Sequence, residues 1–398
     1  VAEAVIVSTA RSPIGRARKG SLVSLRPDDL AAQVISAALG DLPASEITDL
    51  HLGCAEPQDE HGQNIARRVA VQLGYDNLPG TTVNRFCASS VQTARMAFHA
   101  IKAGEGHAFI SAGVECVSRY MHSGAPSFNP LFDEAQQRTL DTAASNAPWT
   151  DPRLDGKLPD YYIAMGQTAE NVATQMGISR HDQDEFGVRS QNLAEKAIAD
   201  GFFAREITPV VLPDGTVVST DDGPRAGVTY EAVSALKPSF RPEGTVTPGN
   251  CCPLNDGAAA VVIMSSTRAK ELGLTPLARI VSTGVSGLSP EIMGLGPVDA
   301  TRQALAHAGL SISDIDLVEI NEAFAVQVLG SQRALGIDID KLNVHGGAIA
   351  LGHPFGSTGA RIMTTLINGM QARDAQFGLE TMCVGGGQGM AIILERLS

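Results

Sequence analysis

VNRFCASSVQTARMAFHAI, residues 83–101, is a turn that opens a helix, and FGSTGARIMTTLINGM, residues 355–370, answers it. Working outward from this pair, the chain repeats itself. IVST occurs at Ile6–Thr9 and again at Ile280–Thr283. The helical pattern PDDLAAQVISAAL (27–39) has a counterpart in PVDATRQALAHAG (297–309). SEITDLHLG (45–53) is echoed by SDIDLVEI (313–320), and HAFISAGVE (107–115) by FGLETMCVGGG (377–387). DGAAAVVIMSS (256–266) answers QGMAIILERLS (388–398). Each match alone is weak. Their shared order predicts two copies of one α/β unit, because strand-like and helix-like runs alternate in both.

The first copy is interrupted. About 117–253 has no counterpart and carries Pro, Gly and Asp, the only Trp (Trp149) and four of the five tyrosines. Helical segments are expected at MGQTAENVATQMG (165–177) and DQDEFGVRSQNLAEKAIADG (182–201). An insertion this long is a lid, a ligand-binding elaboration or an assembly contact. The expected boundaries are 1–116 plus 254–275 for the first half, 117–253 for the insertion and 276–398 for the second half.

Composition narrows the function. With 398 residues, two or three domains are expected. Hydrophobic content of 43% against 18% charged fits a globular protein with much buried surface. No apolar run is long enough to span a bilayer. The start VAEAVIVSTARSPIGR lacks a basic, then long apolar, leader and reads as a first strand, so a cytoplasmic protein is expected. A formal charge of −13 excludes a general nucleic-acid binder but leaves room for an anionic small ligand at a local basic patch. Six cysteines, at 54, 87, 116, 251, 252 and 383, form neither a disulfide framework nor a CxxC pair. No histidine sits at zinc-finger spacing from a cysteine pair, so no metal site is expected. Cys87 is therefore an inert packed thiol or a nucleophile.

Four stretches bear chemistry. After Cys87, apolar residues at Val91, Ala94, Phe98 and Ile101 follow helical spacing. Cys87 is expected at or just before that helix's N-terminus, where unpaired N–H groups favour a thiolate. GGAIALGHPFGSTGAR (346–361) crowds five glycines around His353, whose ordinary pKa suits proton transfer; a structural histidine is the alternative. TMCVGGGQGMA (381–391) runs a strand into Gly385–Gly387, whose N–H groups can bind an oxyanion. It lacks the lysine and following helix of a phosphate loop. NEAFA (321–325) ends a strand, where ligands of α/β proteins gather, although Asn321 could equally cap a helix. Helix openings of the two halves face similar surroundings, so Cys87, His353 and Cys383 could meet across a pseudo-two-fold axis as nucleophile, base and second thiol.

These four stretches, in this order and over essentially the whole chain, resemble the thiolase family of acyl-CoA acyltransferases. The NRFC form of the nucleophile motif is more similar to degradative 3-ketoacyl-CoA thiolases than to biosynthetic acetoacetyl-CoA thiolases. The resemblance implies a duplicated fold layered α-β-α-β-α with a large loop domain. It implies Cys87 as the acyl-accepting nucleophile, with His353 taking its proton and helping to hold the substrate's thioester oxygen. Asn321 would position a water that shares this duty. Cys383 would protonate the acetyl-CoA carbanion, and the N–H groups of Cys87 and Gly385 would cradle the tetrahedral oxygen. Coenzyme A is implied as co-substrate, with no permanently bound cofactor. The insertion would hold it through Arg225, Phe240, Cys252 and Met165, and Arg225, Lys237 and Arg241 would give local positive charge.

Three departures touch substrate shape: Ser90 where the family often has Gly, Cys251-Cys252-Pro253 in place of small hydroxyl-bearing residues, and Ala164 in place of a histidine. Cys54, Cys116 and Cys251 are expected to be packed thiols, and His345 to be explained by its backbone surroundings. The implied reaction is thiolysis of 3-ketoacyl-CoA, with the biosynthetic direction and a catalytically silent lipid-binding subunit as alternatives. A homodimer or homotetramer is implied, because GQNIARRVA (62–70) resembles a stretch near the family's dimer contact. Chain length and branching would depend on the insertion, above all on 121–160.

Overall fold

Strands buried on both faces need apolar side chains at successive positions, and AAAVVIM (258–264) supplies them within NDGAAAVVIMS, Asn255–Ser265, all eleven residues of which are buried. In the computed structural model, which describes residues 2–120 and 128–398, this strand is β5 of a sheet of nine strands and a short tenth, Gly15–Arg16, that pairs with the start of β5. The first half contributes β1 (Ala4–Arg11), β2 (Asp49–Gly53), β3 (Gly80–Val83), β4 (Ala108–Cys116) and β5, in the order β3-β2-β4-β5-β1. The second contributes β6 (Ala278–Gly287), β7 (Leu317–Ile320), β8 (Phe377–Val384) and β9 (Gln388–Arg396), in the order β7-β8-β9-β6. A parallel bridge between Val318 and Leu342 stands where β3 stands in the first half. Pair by pair, the parallel and antiparallel senses of the two halves agree. The half-sheets meet where β1 runs antiparallel to β6 at Val5–Arg279 and Ile6–Ala278. All six repeated stretches of the sequence thus fall on matching elements.

The helices fill three layers. Helices α1 (Pro27–Leu39) and α2 (Ile65–Gln72) cover the outer face of the first half-sheet. The second half-sheet is covered by α7 (Gly296–Ala308) and α8 (Ala325–Leu335). Between the two lies the central pair, α3 (Ser89–Ala103) and α9 (Thr358–Arg373). On β5, Ala260, Val262 and Met264 face the first outer core while Val261 and Ile263 face the central helices. Period-two alternation assigns them to opposite faces. Three cores separated by two half-sheets make the α-β-α-β-α layering.

In the insertion, α4 (Asp133–Ser145) precedes α5 (Met165–Met176) and α6 (Arg180–Ala199). Periodicity located α5 and α6 but not α4. Residues 121–127 of the stretch expected to set chain length lie outside the described residues.

The middle layer positions the site. The central helices start side by side: the Ser90 hydroxyl of α3 accepts the Ala360 N–H of α9 at 2.9 Å. That N–H is one of the first-turn donors a helix cannot satisfy itself. Gly359 permits the approach, since a Cβ there would lie 2.4 Å from Val91 Cγ2.

Candidate active site

Cys87 occupies a 3-10 turn, Phe86–Ala88, between β3 and α3. Phe86 has φ +43, a left-handed conformation rare for an aromatic residue. Local bonds hold it there: Phe86 N–H donates to Asn84 Oδ1 at 2.8 Å, and Ser89 Oγ donates to the Phe86 carbonyl at 2.6 Å. Strain of this kind persists where the surroundings over-determine it, and here it presents the Cys87 thiol at a helix opening. Cys87 is half-buried, whereas Cys383, His353 and Asn321 are buried.

The last turn of the second half closes on this thiol. The N–H groups of Cys87 and Gly385 lie close enough to the Cys87 sulfur to favour its anion, and Cys383 and Cys252 lie within electrostatic reach of it. Gly385 is fixed through its carbonyl, which accepts from Gln388 Nε2 at 3.1 Å, and Gln388 Oε1 accepts from Arg85 Nη1 at 2.9 Å. Arg85 thus ties the nucleophile turn to the glycine run. Two N–H groups converging on one point are what an oxyanion needs.

The expectation of a thiolate is corrected. Burial pushes the Cys87 thiol up to about 12, outweighing the two N–H groups that favour the anion, and Glu115 pushes it the same way. Burial likewise raises Cys383 and Cys252 well above the ordinary thiol range, with the neighbouring sulfurs adding to it. A helix terminus contributes only partial charges; desolvation of a whole anion is larger.

His353 follows Gly352, whose φ of +112 and contact with the Asn255 amide leave no room for a side chain. Asn255 Oδ1 accepts the His353 N–H at 2.9 Å. The adjoining turn Phe355–Ser357 packs on the Phe86–Ala88 turn. His353 Nδ1 lies 2.6 Å from Thr358 Oγ1, and that hydroxyl donates to the Pro354 carbonyl at 2.9 Å. A hydroxyl that donates to that carbonyl accepts from His353, an arrangement that puts the proton of the neutral imidazole on Nδ1 and leaves Nε2 as a base. Burial, helped by the Arg361 charge, lowers His353 to about 3, so the ring is neutral near pH 7. Asn321 Nδ2 lies 3.3 Å from Nε2 and 3.5 Å from Nδ1, nearly equidistant and so not on the Nε2 lone pair. Asn321 Oδ1 is buried without a hydrogen-bond partner among the described residues, an acceptor that suits a water.

The coenzyme candidates fall beside this centre. Arg225 is exposed and, with Arg16, Gln191, Gly249 and Pro253, lines a cavity of about 360 Å³. Pro253 follows Cys252 directly. Met165 and Phe240 are both exposed at 37%, and the Phe240 ring covers Gly166 so closely that a Cβ there would lie 2.2 Å from it. Phe240 also meets Phe324 edge-on at 6.3 Å between centroids. Lys237 is exposed. Arg241 is not part of a solvent-facing basic patch: it is 4% exposed and bonds Gln167 and Asn171. Cys54 and Cys116 are buried and Cys251 half-buried, as expected of packed thiols. His345 stacks on Phe202 at 3.7 Å, apart from the catalytic cluster.

Sequence reading missed the residues that hold the site together. Glu115 accepts the N–H groups of Ala55, Glu56 and Gly356 and the Tyr120 hydroxyl. Glu322, in NEAFA, accepts from Ser190, Asn343 and the Ile349 N–H, anchoring the start of the His353 loop. A polar residue inside an apolar strand or at a strand end was the available signal for both.

Comparison with known proteins agrees with this geometry. The model for the thiolase N-terminal domain matches residues 4–267 and that for the thiolase C-terminal domain matches 274–396. The chain belongs to the thiolase family, acyltransferases that use coenzyme A as co-substrate and hold no permanent cofactor. It is 43% identical to a 3-ketoacyl-CoA thiolase of Bacillus subtilis (strain 168), covering 99% of both chains. It is 44% identical to an acetyl-CoA acetyltransferase of Escherichia coli (strain K12), again over 99% of both. Among solved structures it resembles the Bacillus anthracis acetyl-CoA acetyltransferase (TM-score 0.87, 38% identity, 100% and 99% coverage). It also resembles human mitochondrial 3-ketoacyl-CoA thiolase (TM-score 0.86, 34% identity, the same coverage).

Proposed function

We propose that this protein is a degradative 3-ketoacyl-CoA thiolase. What supports the reading is the approach of two backbone N–H groups and a second thiol to the Cys87 sulfur, with the turn that follows His353 packed on the turn that carries Cys87. Cys87 attacks the 3-keto carbon of the substrate while its proton passes to His353 Nε2. The former keto oxygen becomes an oxyanion between the N–H groups of Cys87 and Gly385. Collapse breaks the C2–C3 bond, leaves the acyl group on Cys87 and releases the acetyl-CoA enolate, which Cys383 protonates. His353 and a water on Asn321 hold the enolate oxygen. The thiol of incoming CoA gives its proton to the Cys383 thiolate and attacks the Cys87 thioester. Acyl-CoA leaves, and Cys87 takes its proton back from His353. Neutral starting forms suit this cycle, since charge appears only when the oxyanion donors are engaged.

The inserted segment 117–253 would hold the coenzyme, with Arg225 near its phosphates and Met165, Phe240 and Cys252 along the pantetheine. The NRFC motif and Ala164 favour the degradative direction, while relatives bear names of both kinds. Strand β3 is an outer strand of the sheet and α2 lies beside it, which supports pairing into a homodimer or a dimer of dimers. No helix of the described residues is long and apolar enough to cross a membrane, which agrees with a cytoplasmic enzyme.

The test is to incubate the protein with a panel of 3-oxoacyl-CoA thioesters and CoA, measure acetyl-CoA, and find the acylated peptide by mass. Cleavage across several chain lengths with the acyl group on Cys87 is expected. Activity confined to acetoacetyl-CoA would assign the biosynthetic role, and no acylation at all would leave a silent lipid-binding subunit.

A further inference from the structure

The expected oxyanion donor Gly385 opens a run of three glycines, Gly385–Gly387, that turns β8 into β9. Gly386 and Gly387 have positive φ, +74 and +81, and no side chain of their own stiffens the turn. Oxyanion donors work when they are held in place beforehand, so the rigidity must come from outside the run. Leu288 N–H donates to the Gly387 carbonyl at 2.8 Å and fixes the far end. At the near end the Phe86 ring lies 3.5 Å from where a Gly385 Cβ would stand, and Gln388 Nε2 donates to the Gly385 carbonyl at 3.1 Å.

Gln388 can hold that carbonyl only with its amide turned the right way, and Arg85 decides the turn. A guanidinium has donors and no acceptor. It therefore takes Gln388 Oε1, 2.9 Å from Nη1, and leaves Nε2 for Gly385. Arg85 is itself anchored at the nucleophile turn. Its Nε donates to Gln92 Oε1 of α3 at 3.0 Å. Its backbone N–H donates at 3.0 Å to Ser89 Oγ, the hydroxyl that holds the Phe86 carbonyl. Both side-chain bonds go to neutral amides, and the charged group that influences Arg85, Arg95, has the same sign. One planar fork thus orients two amides, Gln92 on α3 and Gln388 on β9.

We propose that Arg85 and Gln388 are positioning residues of the reaction: Arg85 sets the Gln388 amide, and Gln388 sets the Gly385 backbone so that the N–H groups of Cys87 and Gly385 point at one oxygen. They act through Gly385 rather than on the substrate. The proposal rests on the thiolase reading, in which two tetrahedral species use these donors, one as Cys87 is acylated and one as CoA attacks the thioester. It is tested by kcat, KM and Tm for cleavage of a short 3-oxoacyl-CoA. The proteins compared are the parent, Arg85→Met, Arg85→Lys, Gln388→Met and the double methionine variant. Gln388→Met removes both amide bonds without changing charge. Each methionine variant should lose about tenfold to a hundredfold in kcat, the range of a small misplacement, with KM within about twofold and Tm within about 2 °C. The double variant should be no slower than the slower single one, because both break the same chain of bonds. Arg85→Lys, which can still donate to Gln388 Oε1, should recover part of the rate.

A second measurement needs no turnover. The Gly385 N–H is one of the groups that favour the Cys87 anion. Releasing it should slow iodoacetamide labelling of Cys87 in Gln388→Met about threefold or more at about pH 8.5. Variants with the parent's kcat and labelling rate would overturn the proposal. So would kcat losses that multiply in the double variant, since independent effects do not share one chain. Losses of kcat that track a falling Tm would overturn it too, leaving the two residues as stabilisers. A parent that cleaves no 3-oxoacyl-CoA would count against the thiolase reading instead, and the labelling comparison would still decide whether Gln388 holds Gly385.

Discussion

Two contacts in this molecule are copies of one another and do opposite work. In the second half, β8 carries Cys383, opposite Gly389 of β9, and reaches the Phe86–Ala88 turn of the first half. In the first half, β4 carries Glu115, opposite Gly257 of β5, and reaches the Phe355–Ser357 turn of the second half. The two glycines occupy the same place in the repeat, DG at 256–257 and QG at 388–389. Cys383 is thus the structural counterpart of Glu115, and Cys87 that of Gly356. One contact is a thiol beside a thiol, half-open and poor in bonds. The other is a carboxylate that accepts three backbone N–H groups, the Tyr120 hydroxyl and the Cys54 thiol, against a glycine whose Cβ would lie 2.8 Å from Glu115 Oε2. Duplication supplied two equivalent crossings, and side-chain chemistry made one the proposed reaction centre and the other a clamp.

Exchanging what each contact loses should separate the roles most sharply. Cys87→Ser should lower kcat about 10⁴-fold, since removing a nucleophile abolishes the covalent route, while Tm stays near the parent's because no buried bond is broken. Glu115→Ala should do the reverse. The buried N–H groups of Ala55 and Gly356 and the part-buried Glu56 N–H and Tyr120 hydroxyl lose their acceptor, for a loss of about 3–5 kcal/mol in unfolding free energy by urea denaturation, with activity per folded molecule falling far less. A Glu115 variant of unchanged stability, or a Cys87 variant that melts early, would remove the distinction drawn here.

This asymmetry also explains what the sequence disclosed. Six repeated stretches exposed the duplication because strands such as β5 and β9 must be apolar along their whole length, and that pattern is local. Cys87, His353, Cys383 and Asn321 were legible because reactive side chains on glycine-rich backbone are unusual. Glu115 and Asn255 were not: their partners, Gly356 and His353, are 241 and 98 residues away, and an acceptor cannot be read without its donor. Arg241 was misread for a similar reason. A basic residue near a coenzyme segment looks the same on paper whether it faces water or, as here, two buried amides. The thiolate expectation failed because sequence shows the helix N-terminus that favours the anion but not the burial that opposes it.

That last correction can be measured. With the Cys87 thiol raised to about 12 rather than the ordinary 9.0, its thiolate fraction below pH 9 is about 10³-fold smaller than an ordinary thiol's, a factor of ten for each unit. Iodoacetamide labelling of the Cys87 peptide in the free protein should therefore be slow near neutrality and climb about tenfold per pH unit past pH 9. The sign for stability follows. The fold favours the protonated thiol, so this contribution is complete below pH 9 and is lost as pH rises from 9 towards 12. A labelling rate that levels off near pH 7 would restore the thiolate and count against burial as the dominant effect.

The smallest effect expected concerns Ser90, where the thiolase pattern often has glycine. Its hydroxyl accepts the Ala360 N–H, so the first helix of the central layer caps the second. Ser90→Ala removes the acceptor while keeping the helix propensity, and should cost about 1 kcal/mol, in the range of a lost helix cap. Because α3 and α9 begin at the two turns compared above, their registry bears on both. If the cap only stabilises, kcat and KM for a short 3-oxoacyl-CoA should be unchanged while Tm falls by only about 1 °C, because the unfolding entropy of a chain of this size is about 0.8 kcal/mol/K. If it also sets the spacing between the Cys87 turn and the His353 loop, kcat should drop with KM constant, because a base displaced by about 1 Å loses rate without losing substrate. Ser90→Thr, which keeps an acceptor, should then recover kcat, and that recovery would make the inter-helix bond part of the reaction geometry rather than of stability alone.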